Sequence, residues 1–122
     1  MKNYSYRVIR IAGQKDVLWI DFKEKKYEIL SNFLGSEVVN FEHWIKEVFD
    51  KVINGESQYE NESYNMCSIQ VTPITTKIYN ELALTDEEYY STCCEVDTKE
   101  LKQLIDEWCK KVKEFKNSQV SE

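Results

Sequence analysis

Glycine and proline are scarce: three Gly and one Pro in 122 residues leave few places where the backbone is forced to break. No internal repeat, low-complexity stretch or Pro/Ser-rich linker divides the chain, so residues 1–116 read as one α+β domain and 117–122 as a frayed tail. Long apolar runs are absent as well. Nothing approaches the roughly 20 apolar residues of a membrane span, and the opening MKNYSYRVIRIAG lacks a signal-peptide core, which points to a cytoplasmic protein. Histidine occurs once, at His43, and the chain holds no Gly-rich phosphate loop, no G-x-S-x-G and no H-x-x-x-H. The familiar signatures of phosphate, serine-hydrolase and zinc chemistry are therefore missing.

What is present is a core-forming composition. Hydrophobic residues make up 42% and aromatics 13%, with three Trp and eight Tyr, which excludes a disordered chain despite 31% charged residues. Net charge is −6, unevenly spread: residues 1–51 carry nine Lys/Arg against eight Asp/Glu, residues 52–98 one against nine, and residues 99–122 six against five. The central segment alone sums to −8, and Lys77 is its only cation. Such a field repels nucleic-acid phosphates and favours a basic protein partner, unless it is only a solvated face that keeps the protein soluble.

Alternation over residues 4–11, a turn at Ala12-Gly13-Gln14-Lys15 and the run VLWIDF at residues 17–22 predict a hairpin, with a short third strand over residues 27–30. In NFEHWIKEVFDKVING, Phe41, Trp44, Ile45, Val48, Phe49, Val52 and Ile53 form one helical stripe, with Asn40 as N-cap and Gly55 as C-terminal stop. Strands are then expected over residues 64–71, 74–82 and 90–96, the last preceded by a loop or single helical turn at residues 84–88. Asp97 opens a second helix, with Glu100 three positions on as in a capping box, and Leu101, Leu104, Ile105, Trp108, Cys109 and Val112 at helical spacing. The predicted order is βββ-α-βββ-α: an antiparallel sheet of five to six strands with two amphipathic helices packed on one face.

The stretch LTDEEYYSTCCEVD, residues 84–97, concentrates the candidate chemistry. Its adjacent Cys93 and Cys94 lack the two-to-four-residue separation of a zinc pair, and neighbours on a strand point to opposite faces. Glu95 and Asp97 beside them disfavour a thiolate, so these thiols, with Cys67 and Cys109, read as packing residues. His43 reads as a partly exposed structural residue. Carboxylate pairs such as Asp86 with Glu88, or Glu60 with Glu62, fit no ligand pattern, and neither a metal nor a cofactor is expected. The tyrosines at 59, 64, 79, 89 and 90 share the acidic segment, and aromatic anchors inside a polar rim suit a protein interface.

The succession of a helix ending in Val52-Ile53-Asn54-Gly55-Glu56-Ser57, then Tyr64-Asn65-Met66-Cys67-Ser68-Ile69, an acidic strand, and a closing helix over residues 98–115 carrying Trp108 resembles small bacterial immunity proteins of contact-dependent inhibition and related polymorphic toxin systems. The resemblance spans roughly residues 40–116 and rests on element order, not on a chemical motif. It implies a non-enzymatic inhibitor that binds the toxic domain of a cognate toxin, often a nuclease; partner contacts differ between such pairs, so no family residue transfers. The charge map agrees independently. The expected partner surface comprises Glu60, Glu62, Asp86, Glu87, Glu88 and Glu95 for charge and Tyr89 and Tyr90 as anchors, in a monomer or weak homodimer that contacts neither nucleic acid nor membrane. The alternative from another class is an adaptor or regulatory domain acting through homodimerisation.

Overall fold

The computed structural model describes residues 3–120. Its class is α+β, as expected, but the six strands form two antiparallel sheets: β1 (Tyr4–Ile9) with β2 (Val17–Phe22), and a four-stranded sheet in the order β3 (Glu60–Ser63), β4 (Cys67–Val71), β5 (Thr75–Asn80), β6 (Cys94–Asp97). The hairpin turn uses Gly13 at φ 78, a conformation that costs glycine little, and closes with the Gln14 N–H on the Ile11 carbonyl at 3.0 Å.

The third strand expected at residues 27–30 is helical instead. A 3₁₀ turn (Lys25–Tyr27) leads into α1 (Glu28–Asn32), a π-helical stretch (Phe33–Val38) and α2 (Val39–Ile53). The physical reason is visible once the register is extended: Ile29, Leu30, Phe33, Leu34 and Val38 recur one turn apart, and all are at most 6% exposed. Because the helix is already running, Asn40 caps nothing; its Nδ2 donates to the Ser36 carbonyl at 2.6 Å, and the axis breaks at Phe41 (φ −127, ψ 33). The other end matches expectation. Gly55 at φ 81 donates to the Val52 carbonyl while the Glu56 N–H reaches Lys51, the paired bonds of a Schellman stop.

Further along, residues 64–66 form the β3–β4 turn and not the start of a strand, with the Tyr64 N–H bonded to the Cys67 carbonyl at 2.8 Å. β3 itself lies in polar ENES, where no apolar alternation announces it. The strand expected over residues 90–96 is shortened to β6, because residues Asp86–Ser91 form α3. Asp97 ends β6 and, as expected, accepts the Glu100 N–H at 2.9 Å to cap α4 (Thr98–Val120). That helix runs on past residue 116, through most of the segment expected to fray; Ser121 and Glu122 lie outside the described residues.

Pairing register divides the four-stranded sheet into two faces. Ile69, Ile78 and Cys94 align on one, with Val71, Thr76 and Val96 beside them, and α1, α2 and α4 cover this face. Burial here and along Ile45, Val48, Phe49, Leu101, Leu104 and Ile105 gives one continuous core. Trp108 is fully buried at its centre, and its Nε1 donates to the Leu34 carbonyl in the π stretch at 2.7 Å. The two-stranded sheet docks on the same centre: the Tyr6 ring stacks near Trp108 at 6.1 Å, and Trp19 lies where a side chain on Gly35 would otherwise be.

Candidate functional site

The second face of the sheet is covered in part by α3, and its rows read Asn61, Gln70, Lys77, Glu95 and, next to it, Ser63, Ser68, Tyr79, of which Ser68 and Tyr79 are buried. This row is polar, not strongly anionic. Lys77 and Glu95 sit opposite each other with Nζ and Oε2 at 3.8 Å, so the central segment's only cation lies beside that carboxylate. The acidic character gathers elsewhere, at the loop and short helix between β5 and β6.

There, α3 is built by its own side chains. Thr85 Oγ1 accepts the Glu88 N–H at 3.1 Å and the Glu88 carboxylate accepts the Leu84 N–H at 3.1 Å, a reciprocal capping arrangement. Asp86, Glu87 and Glu88 occupy the first turn, where the helix dipole favours anions. Tyr89 stacks on Tyr79 of this second sheet face (4.8 Å, 8°), and Tyr90 meets both rings edge-on (5.2 and 6.3 Å), which fixes α3 to β5. Asp86 and Glu87 remain exposed, as do Glu81, Leu82, Leu84 and Tyr90; Leu84 is 92% and Tyr90 68% exposed. A water-facing leucine between acids has no packing role, and sequence reading passed over it because an isolated loop leucine carries no periodic signal.

The eight expected partner residues are thus brought together only in part. Asp86, Glu87, Glu88, Tyr89 and Tyr90 share α3. Glu60 and Glu62 are on β3 at the far edge of the sheet, and their register opposite Val71 and Ile69 turns them to the helix-covered face. Glu95 lies on β6, at the other edge and on the second face. Tyr64 is also on the helix side, packed against Trp44 at 4.8 Å and Phe41 at 5.7 Å.

The thiols are placed as packing groups. Cys67 and Cys94 are buried in the core, and burial pushes both up to about 12. Cys109 is likewise held at about 12, by burial and by the adjacent Glu42 carboxylate. Cys93 is raised chiefly by burial, with Lys77 opposing and Glu95 adding less, so desolvation outweighs the neighbouring acids as the cause. Among the described residues no group of three or more His, Cys, Asp or Glu side chains is arranged to hold a metal ion, and no helix is long and apolar enough to cross a membrane. His43 is exposed on α2.

One buried carboxylate stands apart. Glu37, in the π stretch, is 1% exposed and lies against the backbone amides of Asn65, Met66 and Cys67, so it ties the helical segment to the β3–β4 turn. Burial raises its pKa, and its Oε2 and the nearby Tyr64 hydroxyl have no hydrogen-bond partner among the described residues.

Fold and surface together define an α+β protein whose most distinctive exposed segment is acidic, aromatic and held rigid by its own caps. No protein-family model and no solved structure matches the chain. A protein of Bacillus cereus named immunity protein does: it is 35% identical over 98 residues, which cover 80% of this chain and 81% of that one. The chain belongs to this family of immunity proteins.

Proposed function

We propose that the protein neutralises a basic toxin domain, of nuclease type, by binding it through the segment of residues 81–90, as a non-enzymatic inhibitor acting in the cytoplasm. The observation that carries this reading is the content of that segment: exposed Glu81, Asp86 and Glu87 surround exposed Leu82, Leu84 and Tyr90, and no Lys, Arg or His occurs between Lys77 and Lys99. Apolar anchors inside a charged rim are the composition of an interface centre, and anionic charge both steers a cationic partner and competes with its nucleic-acid substrate. Glu60, Glu62 and Glu95, on other faces, add to the long-range field without sharing the contact. The family supports the immunity role; toxins inhibited by such proteins in contact-dependent systems are the corresponding expectation for the partner.

The test is capture of the tagged protein's partner from host lysate at low salt, release by rising salt, and assay of the released protein for nuclease activity. A basic nuclease inhibited again on re-addition of this chain is the expected outcome. Reversing Asp86 and Glu87 to Lys should lower its association rate by on the order of tenfold at low salt. Asp86 and Glu87 are the informative pair because Glu88 also holds the Leu84 amide. Association that is indifferent to both reversals and to salt would refute the assignment.

A further inference from the structure

We propose that β1 is a pairing edge for a second copy of this chain, so that two hairpins join across a two-fold axis into one sheet ordered β2-β1-β1-β2. The inference is independent of the inhibitor reading.

β1 pairs with β2 along all six residues, and among the described residues no further backbone hydrogen bond reaches residues 4–9 from the other side. An open row of backbone donors and acceptors is a template for another strand, and proteins ordinarily blunt it with charge, proline, bulges or short length. The other three edge strands are covered or blunted: β2 packs against α1 and the π-helical stretch, β3 carries Glu60 and Glu62, and β6 is four residues long and passes directly into α4. β1 is six residues long and is blunted neither by proline nor by an unpaired charge. Its sequence YSYRVI holds no proline, and its one charge, Arg7, is matched within the hairpin by Asp21 at 2.7 Å. Tyr6 and Val8 meanwhile remain 36% and 39% exposed.

Self-pairing suits this occupant because the sequence can meet its own antiparallel copy without setting like charges opposite each other. A two-fold axis normal to the sheet keeps each face on its own side, so facing residues must have the same parity. Pairing Tyr6 with Tyr6 of the second copy sets Tyr4 opposite Val8 and Ser5 opposite Arg7, which are aromatic, aromatic with β-branched, and neutral with cation. The next register toward the C-terminus would oppose Arg7 to Arg7, and like charges directly opposite are unfavourable. The resulting interface is isologous, the commonest symmetry of small oligomers.

Sedimentation velocity of the full chain across the micromolar range tests the proposal. The expected result is a mass that rises with concentration from 14.6 kDa toward twice that value. Ser5→Lys should leave the fold intact, since Ser5 is exposed and faces Asp21 in its own hairpin. It also places a lysine opposite Arg7 twice per dimer, which should weaken association on the order of tenfold. Hydrogen exchange of the wild-type chain gives a second reading, with amides of residues 4–9 gaining protection as concentration rises. A mass fixed at 14.6 kDa throughout, a dimer insensitive to Ser5→Lys, or protection that grows elsewhere but not on β1 would overturn it.

Discussion

Gly35 lies in the π-helical stretch with a backbone that any residue can adopt, because only Gly13 and Gly55 among the glycines have positive φ. Helix propensity alone therefore predicts that Gly35→Ala stabilises the protein, by up to about 1 kcal/mol. The structure predicts the opposite. A Cβ at position 35 would penetrate the six-membered ring of Trp19, meeting three of its carbons well inside van der Waals contact. Relieving that overlap means moving either the indole, which anchors the hairpin, or the helix; overpacking of this kind costs about 1–3 kcal/mol. The net expectation is destabilisation of about 0.5–2 kcal/mol, or a melting temperature lower by a few degrees. Urea titration of four proteins separates the two effects: wild type, Gly35→Ala, Trp19→Ala and the double variant. If the collision is the cause, alanine at 35 becomes neutral or stabilising once the indole is gone, a coupling of about 1–3 kcal/mol. Destabilisation of the same size in both backgrounds would refute the collision and leave the glycine a role in the π turn itself.

Trp108→Phe removes the donor to the Leu34 carbonyl and part of a buried ring, and should cost about 2–4 kcal/mol in the same titration, with unchanged stability counting against the bond. Thr98→Val strands the Thr72 carbonyl and the Thr76 hydroxyl, both within 2.9 Å of Thr98 Oγ1, and should cost about 1–3 kcal/mol by thermal melting. Glu37 has a folded-state pKa raised by burial, so above its ordinary value of 4.5 the native protein holds the proton more tightly than the unfolded chain. Stability from this group is present at low pH and declines as pH rises through the raised pKa; Glu37→Gln should remove that component from a stability–pH profile, and an unchanged profile would show that the carboxylate does not titrate with folding. With the three most buried thiols at about 12, no cysteine should react rapidly with a disulfide reagent near neutral pH until the protein unfolds, and prompt labelling of Cys93 or Cys109 would contradict their packing.

How much of this was legible beforehand depended on whether a residue's environment is set locally. The first hairpin, the Gly55 stop, the Asp97 cap and the stripes of α2 and α4 follow from periodicity and capping chemistry, and they appear at or near the expected positions. The helical run over residues 25–38 was missed because its apolar pairs begin inside a short stretch that also fits a strand, and because Glu37 occupies a core position that an apolar pattern search treats as surface. β3 carries no apolar signal at all and exists through its pairing with β4. In the candidate site, charge density along the chain located the acidic segment but not its geometry: strand parity sends Glu62 and Glu95 to opposite faces, although both belong to the same acidic stretch. Burial of Tyr64 against Trp44 and exposure of Leu84 are tertiary facts with no local signature.

The capping of α3 has a consequence for how such a surface can change. Thr85 and Glu88 hold the backbone of the loop, whereas the exposed side chains of Asp86 and Glu87, between them, make no hydrogen bond or ion pair among the described residues. The two holding positions therefore bracket two outward ones within four consecutive residues. Under the proposed reading of this segment as the partner surface, the outward pair could be exchanged while the loop keeps its shape, and the ordering cost of that loop is met during folding and not on encounter. Under that reading, specificity could change here without the fold having to be re-solved.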